Sequence, residues 1–351
     1  MNFGLWAPVY GGFLRNVADE GMPATWATIR EVAQTADRLG FHTMLIPELY
    51  LNDRKGVDAP SLEAWSLTAA VLAVTERLRV MTAVRPGFHL PSVTAKTVST
   101  LADIAPGRFA LNVVAAWWAE EAKQFGGTFP AHDERYDQAR EFVEVLLGSL
   151  RTSPFDYHGR FFTAEGTIVE PKPVDLPAVF AGGESDAGRE AIAGFADAYA
   201  MHGGTVDEVR EKVADLDARR LRLTGEPMRE FAMAAYVIVR DTEAEALREL
   251  ERITTVEPGS PGYASFQEFT ANSALDVAVS AREYSVGTRG LRPHLVGTPE
   301  QVAHRIREYR DAGVTLLLIQ SSPLVPELER IARDVIPLVS DVPARGRQVV
   351  R

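Results

Sequence analysis

Short apolar runs alternate with longer stretches whose apolar residues recur every three or four positions, almost from one end of the chain to the other. Residues 3–8, 43–47, 78–84, 109–115, 178–183, 198–202, 231–239 and 315–320 read as strands. Most are unbroken apolar runs rather than alternating ones, as expected of strands covered on both faces. Helix-like stretches fall between them at 25–39, 61–74, 92–104, 134–150, 185–193, 206–223, 243–253 and 299–312. In the first of these, Ile29, Val32, Ala33 and Ala36 share one face. Repeated strand–helix units in this number predict an α/β fold closed into a (β/α)8 TIM barrel. A doubly wound open sheet is the rival, disfavoured by the unit count and by the lack of a glycine fingerprint after the first strand.

Two segments break the rhythm. Residues of about 153–177 are rich in aromatics and read as a hairpin; those of about 254–295 read as a lid with Gly287 and Gly290 as hinges, since structureless stretches of that length are usually functional. The expected organisation is a single domain over residues 1–340 carrying these two insertions, with a flexible basic tail at 341–351.

Composition narrows the function. The 351 residues are 46% hydrophobic and 24% charged, ordinary for a soluble enzyme. A net charge of −11 argues against nucleic-acid binding but not against a local anion site. Cysteine is absent, which removes disulfides and thiolate chemistry. No apolar run is long enough to span a bilayer and no secretory leader is visible, so a cytoplasmic address is expected. The seven histidines show no metal-ligand spacing, and no nucleophile elbow or P-loop occurs.

Polar residues at the ends of barrel strands are where such folds build ligand sites. Asn112 interrupts an apolar run and needs a hydrogen-bond partner, from a barrel neighbour or from a ligand. Gly182, Gly183, Glu184 and Ser185 follow a strand and open a helix, which suits either an anion or a plain serine N-cap. His132 and Tyr136 lie one helical turn apart, as a ligand cluster or a local capping cluster. Trp117 and Trp118, just past the fourth strand, suit packing or a planar ligand.

Taken in order, several segments resemble the bacterial luciferase-like flavin monooxygenases, with the dimethylsulfone and alkanesulfonate monooxygenases as the nearest group. They are Gly56-Val-Asp-Ala-Pro-Ser-Leu-Glu-Ala-Trp65, Val84-Arg-Pro86, Leu111-Asn-Val-Val114 with Trp117-Trp118, His132-Asp-Glu-Arg-Tyr136, Gly182-Gly-Glu-Ser185 and the run from Arg289 to Pro299. The resemblance implies reduced FMN, delivered by a separate NAD(P)H-dependent FMN reductase, with O2 as co-substrate, in a homodimer or homotetramer. It places Asn112 and Glu121 at the flavin and ribityl region, and Glu48 beside the isoalloxazine ring. Arg135, Tyr136 and Ser185, with His132, Gly183 and Glu184, fall at the flavin chain and phosphate. His202, Tyr236 and Arg289 are the expected catalytic or substrate-positioning residues, though His202 also suits simple packing. Trp6, Tyr10, Trp117 and Arg292 are expected around the substrate.

Departures from the pattern bear on the substrate. Alkanesulfonate monooxygenases carry an arginine and a histidine on strand seven and a tyrosine after strand eight; here Ala234, Tyr236 and Ser322 stand in those places. A cation that would pair with a sulfonate is missing, which favours a sulfone-like substrate with C–S bond cleavage. An alkanesulfonate monooxygenase, a deazaflavin-dependent oxidoreductase and a flavin-binding protein without turnover remain the alternatives.

Overall fold

A computed structural model describes residues 1–115, 118–255 and 280–340. Strands β1 (Asn2–Trp6), β2 (Thr43–Ile46), β3 (Arg79–Val84) and β4 (Phe109–Val114) come first. The strands β5 (Phe155–His158) and β6 (Thr163–Thr167) form a separate antiparallel pair. Strands β7 (Ala178–Gly182), β8 (Ala198–Met201), β9 (Glu230–Val239), β10 (Leu295–Gly297) and β11 (Leu316–Gln320) complete the set. All barrel neighbours are parallel, in the order β11-β1-β2-β3-β4-β7-β8-β9, and β9 pairs with β11 to close the ring. The expected TIM barrel is the observed fold, with strand bounds shifted by a residue or two, and the hairpin expected near 153–177 is β5–β6.

Helices cover the outside. The first are α1 (Trp26–Leu39), α2 (Ala64–Val74), α3 (Pro91–Ile104), α4 (Ala119–Gln124) and α5 (His132–Arg151), followed by α6 (Asp186–Phe195), α7 (Val206–Thr224) and α8 (Glu243–Thr254). Their starts were written locally: Thr205 with Glu208, and Thr242 with Glu245, form reciprocal capping boxes on α7 and α8. Gly40 and Gly225, in the left-handed region at φ 82° and 79°, end α1 and α7. No helix among the described residues is long and apolar enough to cross a membrane.

Inside the barrel Leu45, Met81, Ala110, Phe180, Ala198, Ala232, Leu316 and Leu318 pack together. Alanines on β8 and β9 face larger residues on the other strands, so the lumen is filled and is not a pore. Its lower end is closed by Arg79, at the start of β3, and Glu230, at the start of β9. Their bidentate pair has N–O distances of 2.9 and 3.0 Å, and the guanidinium lies 5.2 Å over the Phe180 ring.

The described part of the second insertion is bonded to the barrel. The Arg15 N–H donates to Ser285 O at 3.0 Å, the Tyr236 N–H to Gly290 O at 2.7 Å, and β10 adds to β9 with Leu295 opposite Val237. These backbone bonds make residues 285–297 part of the barrel rim. Residues 256–279 and the tail at 341–351 lie outside the described residues.

Replacing Arg79 by Met should destabilise the protein by about 1–3 kcal/mol, below the ~3–5 of a fully buried pair because both side chains are partly exposed. The double variant Arg79→Met/Glu230→Met should recover most of the loss. Urea unfolding checks this, and equal losses in both variants would contradict it.

Candidate active site

The C-terminal strand ends deliver polar residues to one mouth, opposite the Arg79–Glu230 closure. Trp6 ends β1, Glu48 follows β2, Asn112 lies near the end of β4, Glu184 and Ser185 follow β7, and His202 follows β8. A surface cavity among Arg151, Asp197, Arg220 and Arg229 lies by the start of β7, at the wrong end, and no candidate residue lines it.

One wall is built on Arg85, directly after β3 and only 2% exposed. Its guanidinium pairs with both Glu48 and Glu121, and its backbone N–H donates to Glu48 Oε2 at 2.9 Å. The other Glu48 oxygen accepts from Trp65 Nε1 at 3.2 Å and meets His89 Nε2 at 2.7 Å. Glu121 Oε1 accepts from the Tyr50 and Leu51 N–H groups at 2.6 and 3.2 Å. Phe88 lies under the guanidinium at 4.2 Å and Tyr50 at 5.2 Å. The side chains of Glu48 and Glu121, both expected at the flavin, are 1% and 0% exposed and accept from protein donors, and they hold the loops that form this wall.

The opposite wall is the turn from β7 into α6. Ser185 caps α6, its Oγ accepting from the Gly188 N–H at 3.1 Å. Tyr136, in the first turns of α5, is hydrogen-bonded to Ser185, and burial raises its pKa, so it stays a neutral hydroxyl. A Cβ on Gly183 would lie 2.7 Å from the Tyr136 hydroxyl and one on Gly188 2.6 Å from its ring, so both glycines permit the close approach. The Tyr199 hydroxyl supports the Gly183 carbonyl from below. His132 stacks edge-on to Tyr136 at 5.6 Å and contacts Asp133 at 2.9 Å, while Arg135 lies 4.5 Å over Phe129. The two helix N-termini singled out in the sequence therefore meet.

A charged cluster joins this turn to the end of β8. Lys212 donates to both Glu184 oxygens at 2.9 and 2.8 Å, and Arg289 Nη2 lies 3.2 Å from the same carboxylate. Burial raises the Glu184 carboxyl, but His202 in its charged form, Lys212 and Arg289 hold it down to about 2. Burial lowers the His202 pKa to about 4, against the pull of Glu184. His202 is exposed on the mouth surface although protein surrounds its ring. Arg289 sits at φ 51°, in the left-handed region, and its carbonyl lies where a Cβ on Gly203 would go.

Two more of the expected site residues are engaged by the protein itself. Arg292 donates to Glu208 Oε2 at 2.9 Å and to Glu283 Oε1 at 3.0 Å, so its charge is spent within the protein. Tyr236 is 2% exposed within the main core cluster and burial raises its pKa well above the usual value, which removes it from the mouth surface. Trp117 lies outside the described residues. Tyr10 is also buried, with Arg54 5.3 Å over its ring.

Several buried polar atoms here have no hydrogen-bond partner among the described residues: Trp6 Nε1, Tyr10 Oη, Asn112 Oδ1, Arg85 Nη2, and Arg289 Nε and Nη2. Each such group costs about 1–3 kcal/mol if left unsatisfied, so those at the strand ends, on Trp6, Asn112 and Arg85, are open to a polar ligand. Sequence reasoning missed Arg85 and Lys212 as site residues. Arg85 carried a usable signal, a charge immediately after a buried strand. Lys212 did too: Lys212 and Arg219 are two turns apart on one face of α7.

Comparison with known proteins gives the family. The family model described as luciferase-like monooxygenase matches residues 1–316. An FMNH2-dependent dimethylsulfone monooxygenase of Pseudomonas putida is 31% identical, the match covering 100% of this chain and 98% of the relative. A protein of the same name from Pseudomonas fluorescens (strain Pf0-1) is 29% identical over 99% of this chain and 96% of its own length. The crystal structure of DmoA from Hyphomicrobium sulfonivorans superposes with a TM-score of 0.80 at 19% identity, covering 97% of this chain and 88% of that one, a likeness of fold.

Arg85→Met should cost about 3–5 kcal/mol in urea unfolding, because it strands two buried carboxylates; a loss below about 1 kcal/mol would contradict the network. The His202 and Glu184 shifts both lower stability on acidification. An unfolded histidine binds its proton near pH 6.5 and the folded one only near 4, so stability falls between those values. Glu184 adds its loss between about 4.5 and 2. His202→Asn should therefore flatten the pH dependence from 6.5 to 4. A His202 ring resonance titrating near 6.5 would contradict the assignment.

Proposed function

Because the chain belongs to the luciferase-like monooxygenase family, we propose that it is a reduced-FMN-dependent enzyme that uses O2 to oxygenate a small organosulfur compound of the dimethylsulfone type, with C–S cleavage. The observation that carries this is the set of unpartnered buried groups on Asn112, Trp6 and Arg289 around the mouth that Ser185 borders. These residues fit FMN. Ser185, Tyr136, Arg135 and His132 would hold the phosphate end, at the N-termini of α5 and α6, and Asn112 would meet the ring. Bound there, reduced FMN would supply the electrons that activate O2. The protein's part is to bind, to orient and to keep water out. His202, neutral at pH 7, can hydrogen-bond a substrate oxygen without adding charge.

The charge pattern favours a neutral substrate. Arg292 is matched by Glu208 and Glu283, Arg289 contacts Glu184, and position 234 is an alanine. The one cation not cancelled, in the group of Lys212, Arg289 and Glu184, lies beside Ser185 where the phosphate would sit, so a buried sulfonate would lack a cation of its own, whereas sulfone oxygens need only hydrogen-bond donors. The names of the two Pseudomonas relatives support the same choice. No second nucleotide-binding unit is evident in the sequence, so a separate NAD(P)H-dependent flavin reductase is part of the proposal, as is a homo-oligomer.

In assays coupled to a flavin reductase, dimethylsulfone should exceed methanesulfonate in kcat/KM by roughly tenfold or more, the equivalent of one missing charge-assisted contact. NADH without the reductase should give no turnover. Sulfite release from alkanesulfonates without sulfone oxidation would overturn the substrate, and hydride transfer with a reduced deazaflavin but no O2 uptake would overturn the cofactor.

A further inference from the structure

The turn that would hold the phosphate carries an apparent flaw. Glu184 and Asp186 flank Ser185, and two carboxylates beside a phosphate site oppose the attraction of the α6 N-terminus. The neighbouring helix answers both. Lys212 holds Glu184 through two hydrogen bonds, with side chains only 15% and 13% exposed. Arg219, two turns further along the same face of α7, donates to Asp186 Oδ1 at 2.6 Å. Arg289, more than nine-tenths buried, adds a second cation against Glu184 and keeps N–H groups without an acceptor. One carboxylate facing two cations leaves a net positive charge of one beside Ser185.

We propose that Lys212, and to a lesser degree Arg219, are positioning residues that cancel the carboxylates flanking Ser185 and so make this turn selective for a phosphorylated flavin. The inference rests on the reading that the cofactor's phosphate binds at Ser185. Lys212 carries more of the effect because Glu184 is enclosed, whereas the Asp186 side chain is 78% exposed and screened by water. Neither residue touches the ligand; each acts through the acid it neutralises.

The test compares FMN with riboflavin, which lacks only the phosphate, by flavin fluorescence titration of the purified full-length protein. Wild type should bind FMN more tightly. Lys212→Met should weaken FMN on the order of tenfold or more, because it removes the net positive charge near the phosphate and leaves Glu184 balanced by Arg289 alone, and should leave riboflavin unchanged. Arg219→Met should move FMN less. Lys212→Arg should keep the discrimination, and Lys212→Met/Glu184→Gln should restore it, because the repelling charge is gone. Equal weakening of FMN and riboflavin in Lys212→Met would show a merely structural lysine and overturn the proposal. Failure of the Glu184→Gln change to restore discrimination would overturn it too. Equal affinity of the wild type for the two flavins would instead overturn the phosphate placement beneath it.

Discussion

A single buried cation, Arg85, fixes the geometry of one wall of the mouth. It takes Glu48 from the end of β2 and Glu121 from α4, and through Glu121 it ties down the backbone of Tyr50 and Leu51. Buried ion pairs of this kind add little net stability, because desolvation offsets most of the attraction. They do impose one arrangement, since any other leaves a charge unpaired in a low-dielectric interior. The two strand ends and the short helix must therefore meet in this register, and the surface they present to the mouth follows.

The opposite wall follows the same logic with the signs reversed. There a carboxylate, Glu184, is held by Lys212 and Arg289, and the balance is positive where the first wall has more acid than base. Between them lie Asn112, Trp6 and His202, which are uncharged at neutral pH. A mouth with one cationic end and a neutral polar floor suits a flat ligand with an anionic tail. The filled lumen beneath confines the ligand to the rim and loops.

Much of this was legible in the sequence. Strands buried on both faces leave unbroken apolar runs, so the barrel's order could be read from them, and the capping boxes marked helix starts. Asn112 and the Gly183–Ser185 turn stood out because polar or glycine residues at strand ends need a reason. The roles of Glu48 and Glu121 were not legible. Whether an acid at a strand end meets a ligand or an arginine depends on a partner 37 or 36 residues away in sequence. Nor was β10: three residues, Leu295–Gly297, gain strand character only by pairing with β9. The burial of Tyr236 was not legible because a continuous apolar strand gives no sign of which side chains reach the mouth surface, nor were the partners of Arg292, because its acids come from separate elements.

The central claim is that the groups gathered by the two charged walls form a flavin mononucleotide site. A crystal structure of the protein with FMN tests it most directly. The account predicts the phosphate at Ser185 and the N-terminus of α6, with Asn112 hydrogen-bonded to the ring. A flavin bound elsewhere on the barrel, or seated with its phosphate away from Ser185, would contradict it.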